Sequence, residues 1–243
     1  MRENNRFEVI TAILVDGGFY RKKAYYYWGQ KSPADRANEL SDYCMQLLQN
    51  RTEQRKLYRI FYYDCPPINK KVFHPLLNKT IDLGKSDEYK WTNEFYKELH
   101  CKRKFAIRLG QLSEGTAQYA LKHDATKKLM RGEIKVSDLT ENDFRFTVEQ
   151  KGVDMRIGVD IISMALKKQV QQIILISGDS DFVPAAKQAR REGIDVILAP
   201  MGANIKPDLH EHIDGLINKT LEPKSNNQTG DEGMIKQKTC IKL

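Results

Sequence analysis

Two short acidic motifs sit where apolar, β-branched segments stop, and that placement constrains the chain more than any other feature. Phe7–Val15 reads as a strand and delivers Asp16-Gly17-Gly18. Gln172–Ile176 reads as a buried strand and delivers Ser177-Gly178-Asp179-Ser180-Asp181-Phe182. Around them, strand-like and helix-like segments alternate. A helix is expected within Ala34–Asn50 and a second strand at Leu57–Tyr63, closed by Asp64-Cys65-Pro66-Pro67 because two prolines cannot continue a central strand. A charged helix is expected at Asp87–Lys104, with Trp91, Phe95 and Leu99 at four-residue spacing, then a third strand at Phe105–Leu112. Further on come a helix at Val153–Lys168 striped by Ile157, Ile161, Met164 and Ala165, and a helix at Phe182–Glu192 with Pro184 in its first turn. A strand at Ile194–Ala199, a short helix near Pro207–His212 and a strand near Gly215–Ile217 finish the pattern. Such alternation implies right-handed crossovers and an α/β fold with a mostly parallel central sheet. Ligands of these sheets bind beyond the carboxyl ends of the strands, which is where Asp16 and Asp179 fall.

The length suits one domain over residues 1–221, with an insertion at about 115–143 and a polar, Asn/Gln/Lys-rich tail at 222–243 that is expected to be disordered. The insertion reads as part helical around Ala117–Met130. Phe144–Glu149 reads as a short strand, paired with Phe105–Leu112 as a hairpin. No apolar run approaches the roughly 20 residues that span a bilayer, and the start, Met1-Arg2-Glu3-Asn4-Asn5-Arg6, has no apolar signal core. A soluble, cytoplasmic chain without a membrane partner is expected. Cys44, Cys65, Cys101 and Cys240 are widely and irregularly spaced, so reduced thiols are expected rather than a disulfide framework or zinc site. The net charge is +8, and residues 51–108 contribute +7 of it, with 14 Lys and Arg against 7 Asp and Glu. A basic face of this kind attracts polyanions, nucleic acid above all.

Taken one at a time, the acidic motifs have structural explanations. Asp16 could be a turn residue, one Asp of the Asp179/Asp181 pair a helix cap, and Asp154 a favourable acid in the first turn of its helix. Two carboxylates in one turn facing a third from another strand are harder to explain that way. Like charges about 4 Å apart repel by roughly 4 kcal/mol at an effective dielectric near 20, and a divalent cation removes that penalty. Asp160, six residues after Asp154, is off that helical face and is either a supporting position behind the cluster or a surface acid. The run Arg21-Lys22-Lys23-Ala24-Tyr25-Tyr26-Tyr27-Trp28 follows the first Asp loop and mixes cations with aromatics. Arg21, Lys22, Tyr26 and Trp28 are candidates for holding phosphates and stacking bases; packing under a loop is the competing use of the aromatics. The five histidines form no ligand pattern, and Ser177 has no base to make it a nucleophile.

In combination, Asp16-Gly17-Gly18, Lys151-Gly152-Val153-Asp154 with Asp160, and Ser177-Gly178-Asp179-Ser180-Asp181-Phe182 resemble the NYN domain, especially its LabA-like branch. Tyr63-Asp64-x-Pro-Pro after the second strand agrees, and the resemblance covers roughly residues 7–217. It implies a Rossmann-like, PIN-like three-layer α/β/α fold and a ribonuclease site dependent on Mg²⁺ or Mn²⁺. Asp16, Asp154, Asp179 and Asp181 would then be the catalytic and metal-holding cluster, RNA the partner with DNA as an alternative, and a homo-oligomer is left open. The expected chemistry is phosphodiester hydrolysis without a covalent intermediate, with Lys151 contacting phosphate. Many relatives carry Asn shortly after the first Asp-Gly, whereas Gly18-Phe19-Tyr20 stands here, so that contact is lost or replaced. A haloacid-dehalogenase-type phosphatase needs a second Asp two residues after its nucleophile, and position 18 is Gly. The non-enzymatic alternative is a nucleic-acid-binding or regulatory module on the same fold. No G-x-G-x-x-G or Walker pattern follows a strand.

Overall fold

Ala12, Ile13, Leu14 and Val15 are consecutive apolar residues, so a strand that contains them has to be covered on both faces, and all four are fully buried. They lie in β1 (Glu8–Asp16). The computed structural model describes residues 8–50 and 53–218; Phe7 and the 222–243 tail lie outside them. After β1 come α1 (Gly17–Trp28), α2 (Pro33–Leu47), β2 (Gln54–Asp64), β3 (Lys71–His74), β4 (Lys79–Asp82), α3 (Asp87–Cys101), β5 (Phe105–Leu109) and β6 (Gln111–Leu121). The order continues with α4 (His123–Met130), β7 (Phe144–Lys151), α5 (Val153–Leu166), β8 (Gln172–Ile176), α6 (Val183–Arg191), β9 (Asp195–Leu198), α7 (Pro207–Glu211) and β10 (Gly215–Leu216).

The chain divides into two compact units. The first holds a six-stranded sheet of order β10-β9-β8-β1-β2-β5, and every neighbouring pair in it is parallel. Helices flank this sheet, as the alternating pattern and the PIN-like resemblance imply. Because side chains alternate along a strand, Ala12 and Leu14 share a core with Phe61, Tyr63, Ile157, Ile161, Leu175 and Ala186, from β2, α5, β8 and α6. Tyr62 turns the other way and meets Phe95 of α3 edge-on, with ring centroids 5.6 Å apart. The second unit comprises Cys65–Asn93 and Gly110–Lys151. In it, β3 and β4 form one antiparallel pair, β6 and β7 another, and buried His74 lies 4.4 Å from the Tyr119 ring.

Several expectations change. Residues 17–28 form a helix rather than a loop, because the Asp16 carboxylate accepts the Phe19 N–H at 3.0 Å and caps it. The third strand stops at Leu109, and β6 carries on to Leu121 through residues expected to be helical, so α4 is only His123–Met130. Of the expected partners of the Phe144 strand, only Gln111 and Leu112 pair with β7, opposite Lys151 and Gln150. Alternation in Ala117-Gln118-Tyr119 is a strand signal that the charged residues after it mask. Cys44 and Cys65 are buried thiols, whereas Cys101 is disulfide-bonded. Wide spacing in sequence does not prevent thiols from meeting in space.

Gly17 is fixed by packing. A Cβ at this position would lie 2.6 Å from both the Tyr62 ring and the Tyr63 carbonyl oxygen, whereas one on Gly18 would only touch Asp16 at 3.6 Å. Gly17→Ala is expected to cost about 1–3 kcal/mol from overpacking. Gly18→Ala is expected to be neutral, or stabilising by up to about 1 kcal/mol. Urea unfolding of the two variants tests the contrast, and equal midpoints would contradict it.

Candidate active site at the carboxyl edge of the sheet

Parallel pairing carries the strand ends to one edge. In the β1–β8 ladder Val15 is level with Ile176, and in the β1–β2 ladder Asp16 is level with Tyr63. Asp16, Asp64 and Ser177 therefore emerge side by side. Asp16 is half-buried, and Ser177 is fully buried. The Ser177 hydroxyl donates to Asp16 Oδ2 at 3.2 Å and accepts the Asp179 N–H at 3.2 Å. Asp179 Oδ1 in turn accepts the Asp181 N–H at 3.0 Å. A chain of hydrogen bonds thus runs from the acidic turn to the carboxylate of β1.

Asp154 enters from the first turn of α5 and is exposed. Partial burial raises its pKa above the ordinary carboxylate value, and repulsion from Asp179 and then Asp181 raises it further. Asp16 is also raised. Burial is the main cause, the hydrogen bonds from Phe19 and Ser177 work against it, and the charges of Asp154 and Asp64 add to it. Asp154 is thus linked by charge to Asp16, Asp179 and Asp181, and Asp16 is connected to Asp179 through Ser177 and the Asp179 amide. Asp64 joins them without having been expected; it is buried and accepts from the Tyr62 hydroxyl at 3.0 Å and from Arg21 at 3.1 Å. Its signal in the sequence was the same as that of Asp16, an acid closing an apolar strand.

The remaining candidates go to different places. Asp160 accepts from the Tyr63 hydroxyl at 2.8 Å and lies 3.4 Å from Arg108, so it braces α5 against β2 and β5. Arg21 pairs with Asp64. Trp28 packs 6.4 Å from the Tyr43 ring, tying α1 to α2. Lys22 and Tyr26 are exposed, and Tyr25, which sequence reasoning passed over, is exposed beside them. Lys151 belongs to the second unit and pairs with Glu149 at 3.4 Å. A cavity of about 760 Å³ opens elsewhere, at the amino end of β9, where Arg190 is paired with Asp214.

The donor set is all carboxylate oxygen, the chemistry that Mg²⁺ and Mn²⁺ prefer. Among the described residues no three acidic, histidine or cysteine side chains are gathered closely enough to form a ready-made metal cage.

A family model described as the NYN domain matches residues 87–218, more than half of the 243-residue chain. The chain belongs to the NYN domain family. NYN domains are nuclease-like and typically act on RNA. The matched segment contains Asp154, Asp179 and Asp181, while Asp16 and Asp64 precede it. No curated protein and no solved structure gives a significant match. Among the described residues, no helix of this NYN protein is long and apolar enough to cross a membrane.

The raised pKa of Asp16 has a consequence for stability. The unfolded carboxyl titrates near its ordinary value and the folded one higher. The folded state therefore holds the proton longer, and stability is lost as pH rises from the ordinary value through the raised one. Asp16→Asn keeps the capping acceptor and never ionises. In EDTA at pH 7 it is expected to need more urea to unfold than the wild type, with the gap closing below the ordinary carboxylate range. A gap that widens on acidification would reverse the sign of this argument.

Proposed function

We propose that the acidic edge of this NYN domain is a metal-dependent ribonuclease site that hydrolyses phosphodiester bonds. The observation that carries the reading is the linkage of Asp16, Asp154, Asp179 and Asp181 at one sheet edge, with Ser177 hydrogen-bonded between two of them. Asp16, Asp154, Asp179 and Asp181 would hold Mg²⁺ or Mn²⁺, and the ion when bound supplies a water of lowered pKa and positive charge toward a phosphoryl oxygen. The chain's own groups do the rest. Ser177 fixes the orientation of the Asp16 carboxylate, and Arg21 ties α1 to β2 through Asp64. The exposed Lys22 and Tyr26 on α1 are available to a phosphate and a base. Family membership favours RNA over DNA as substrate.

The alternative is a non-catalytic nucleic-acid-binding or regulatory module. The absence of a ready-made three-ligand group among the described residues favours it. One experiment separates the two: RNA cleavage by the wild type and by Asp16→Asn, in Mn²⁺ and in EDTA. The ribonuclease reading expects cleavage only by the wild type in Mn²⁺, with Asp16→Asn reduced at least about a hundredfold, beyond what losing a supporting contact usually costs. Equal cleavage by both proteins, or none by either, rejects it.

Base stacking on α1 has its own test. Tyr26→Ala is expected to weaken RNA binding by about 1–3 kcal/mol without lowering the melting temperature. Trp28→Ala is expected to lower the melting temperature, because its ring is spent on Tyr43. Unchanged affinity in Tyr26→Ala would remove α1 from the binding surface.

A further inference from the structure

An edge carrying five linked carboxylates repels a polyanion, so a substrate phosphate that settles there needs a fixed cation close by. Arg21 is paired with Asp64, and Lys22 is exposed on α1. A third cation arrives from a segment in which no functional residue was expected, the loop after β9. β9 neighbours β8 in parallel, so its carboxyl end opens onto the same edge. The chain beyond it stays on the sheet: Ala199 and Met201 are buried, and Ile205 packs against the core. A Cβ placed on Gly178, inside the acidic turn, would lie 3.6 Å from the Ala203 side chain. Lys206 follows Ile205, and its ammonium donates to Ser180 Oγ at 3.0 Å. Ser180 stands between Asp179 and Asp181.

We propose that Lys206 is a phosphate-contacting residue of the acidic edge, binding a phosphodiester oxygen of the RNA; this rests on the ribonuclease reading above. Three features of the side chain support the role. It is exposed, so an incoming strand can reach it. Among the described residues no carboxylate lies within 4.0 Å of its nitrogen, so its charge is not consumed by an ion pair. An ammonium has three donors, and Ser180 takes one of them, which leaves two for a phosphate while holding the group beside the turn. A compact point charge of this kind suits a phosphate oxygen.

The test separates binding from cleavage. In an Asp16→Asn background, RNA affinity is measured against salt for the parent, Lys206→Met, Lys206→Arg and Ser180→Ala. Lys206→Met is expected to bind about tenfold more weakly, with the salt slope reduced by about one. Lys206→Arg is expected to recover most of the affinity. Ser180→Ala removes the tether but not the charge and is expected to lose less affinity than Lys206→Met, with the salt slope of the parent. In the wild-type background Lys206→Met is expected to raise KM with a small change in kcat. Parent-like affinity and salt slope in Lys206→Met overturn the proposal. So does Ser180→Ala matching Lys206→Met, since the lysine would then only be a strut for the loop. Failure of the ribonuclease reading looks different: the wild type then leaves RNA uncut in Mn²⁺, whatever Lys206 does to binding.

Discussion

The parallel seating of β1 between β2 and β8 is the constraint on which the rest depends. It brings to one level three chain segments far apart in sequence, ending at Asp16, Asp64 and Ile176. A slip of one residue in either ladder would turn every inward side chain outward. Burial of both faces of β1 makes that slip costly, since Ala12, Ile13, Leu14 and Val15 have no solvent side to fall back on. The position of the carboxylates is thus set by hydrophobic packing at the middle of the sheet. Gly17 shows how closely the two are joined, because the residue after Asp16 has to lie flat against the Tyr62 ring.

Crowding acids at one edge costs free energy. Two like charges about 4 Å apart repel by roughly 4 kcal/mol at an effective dielectric near 20, while a hydrogen bond to a charged group returns about 1.5–3 kcal/mol. The donors supplied by Phe19, Ser177 and the Asp181 amide therefore offset the repulsion only in part. Burial first, and then this remaining repulsion, leave the pKa values of Asp16 and Asp154 raised. In the proposed ribonuclease a bound cation would complete the balance.

Much of this was legible in the sequence because it rests on strand ends. Gln172–Ile176 is a strand with the expected bounds, and the acids following β1 and β8 share one edge because the two strands are parallel. What was not legible rests on contacts between side chains remote in sequence. Two glycines after Asp16 suggested a loop, and only the cap on Phe19 and the contact with Tyr62 turn those residues into a helix. Trp28 reads in the sequence as a base-stacking candidate, and its contact with Tyr43 of α2 appears only once the two helices pack. Asp64 reads in the sequence as part of a strand closure, because its coupling to Asp16 exists only once β2 lies beside β1. Lys206 had no periodicity or motif to mark it.

Ser177 has one hydroxyl proton and spends it on Asp16, while a lone pair takes the Asp179 amide. Its orientation is therefore fixed from both sides, and the dipoles leading from the acidic turn all point their positive ends toward the β1 carboxylate. Hydrogen bonds in such a series polarise one another. If the turn moves and withdraws the Asp179 amide, the Ser177 hydroxyl becomes a weaker donor and Asp16 a weaker acid. The residue that closes β1 thereby senses the posture of a turn more than 160 positions away in the chain, with the serine as the relay between them.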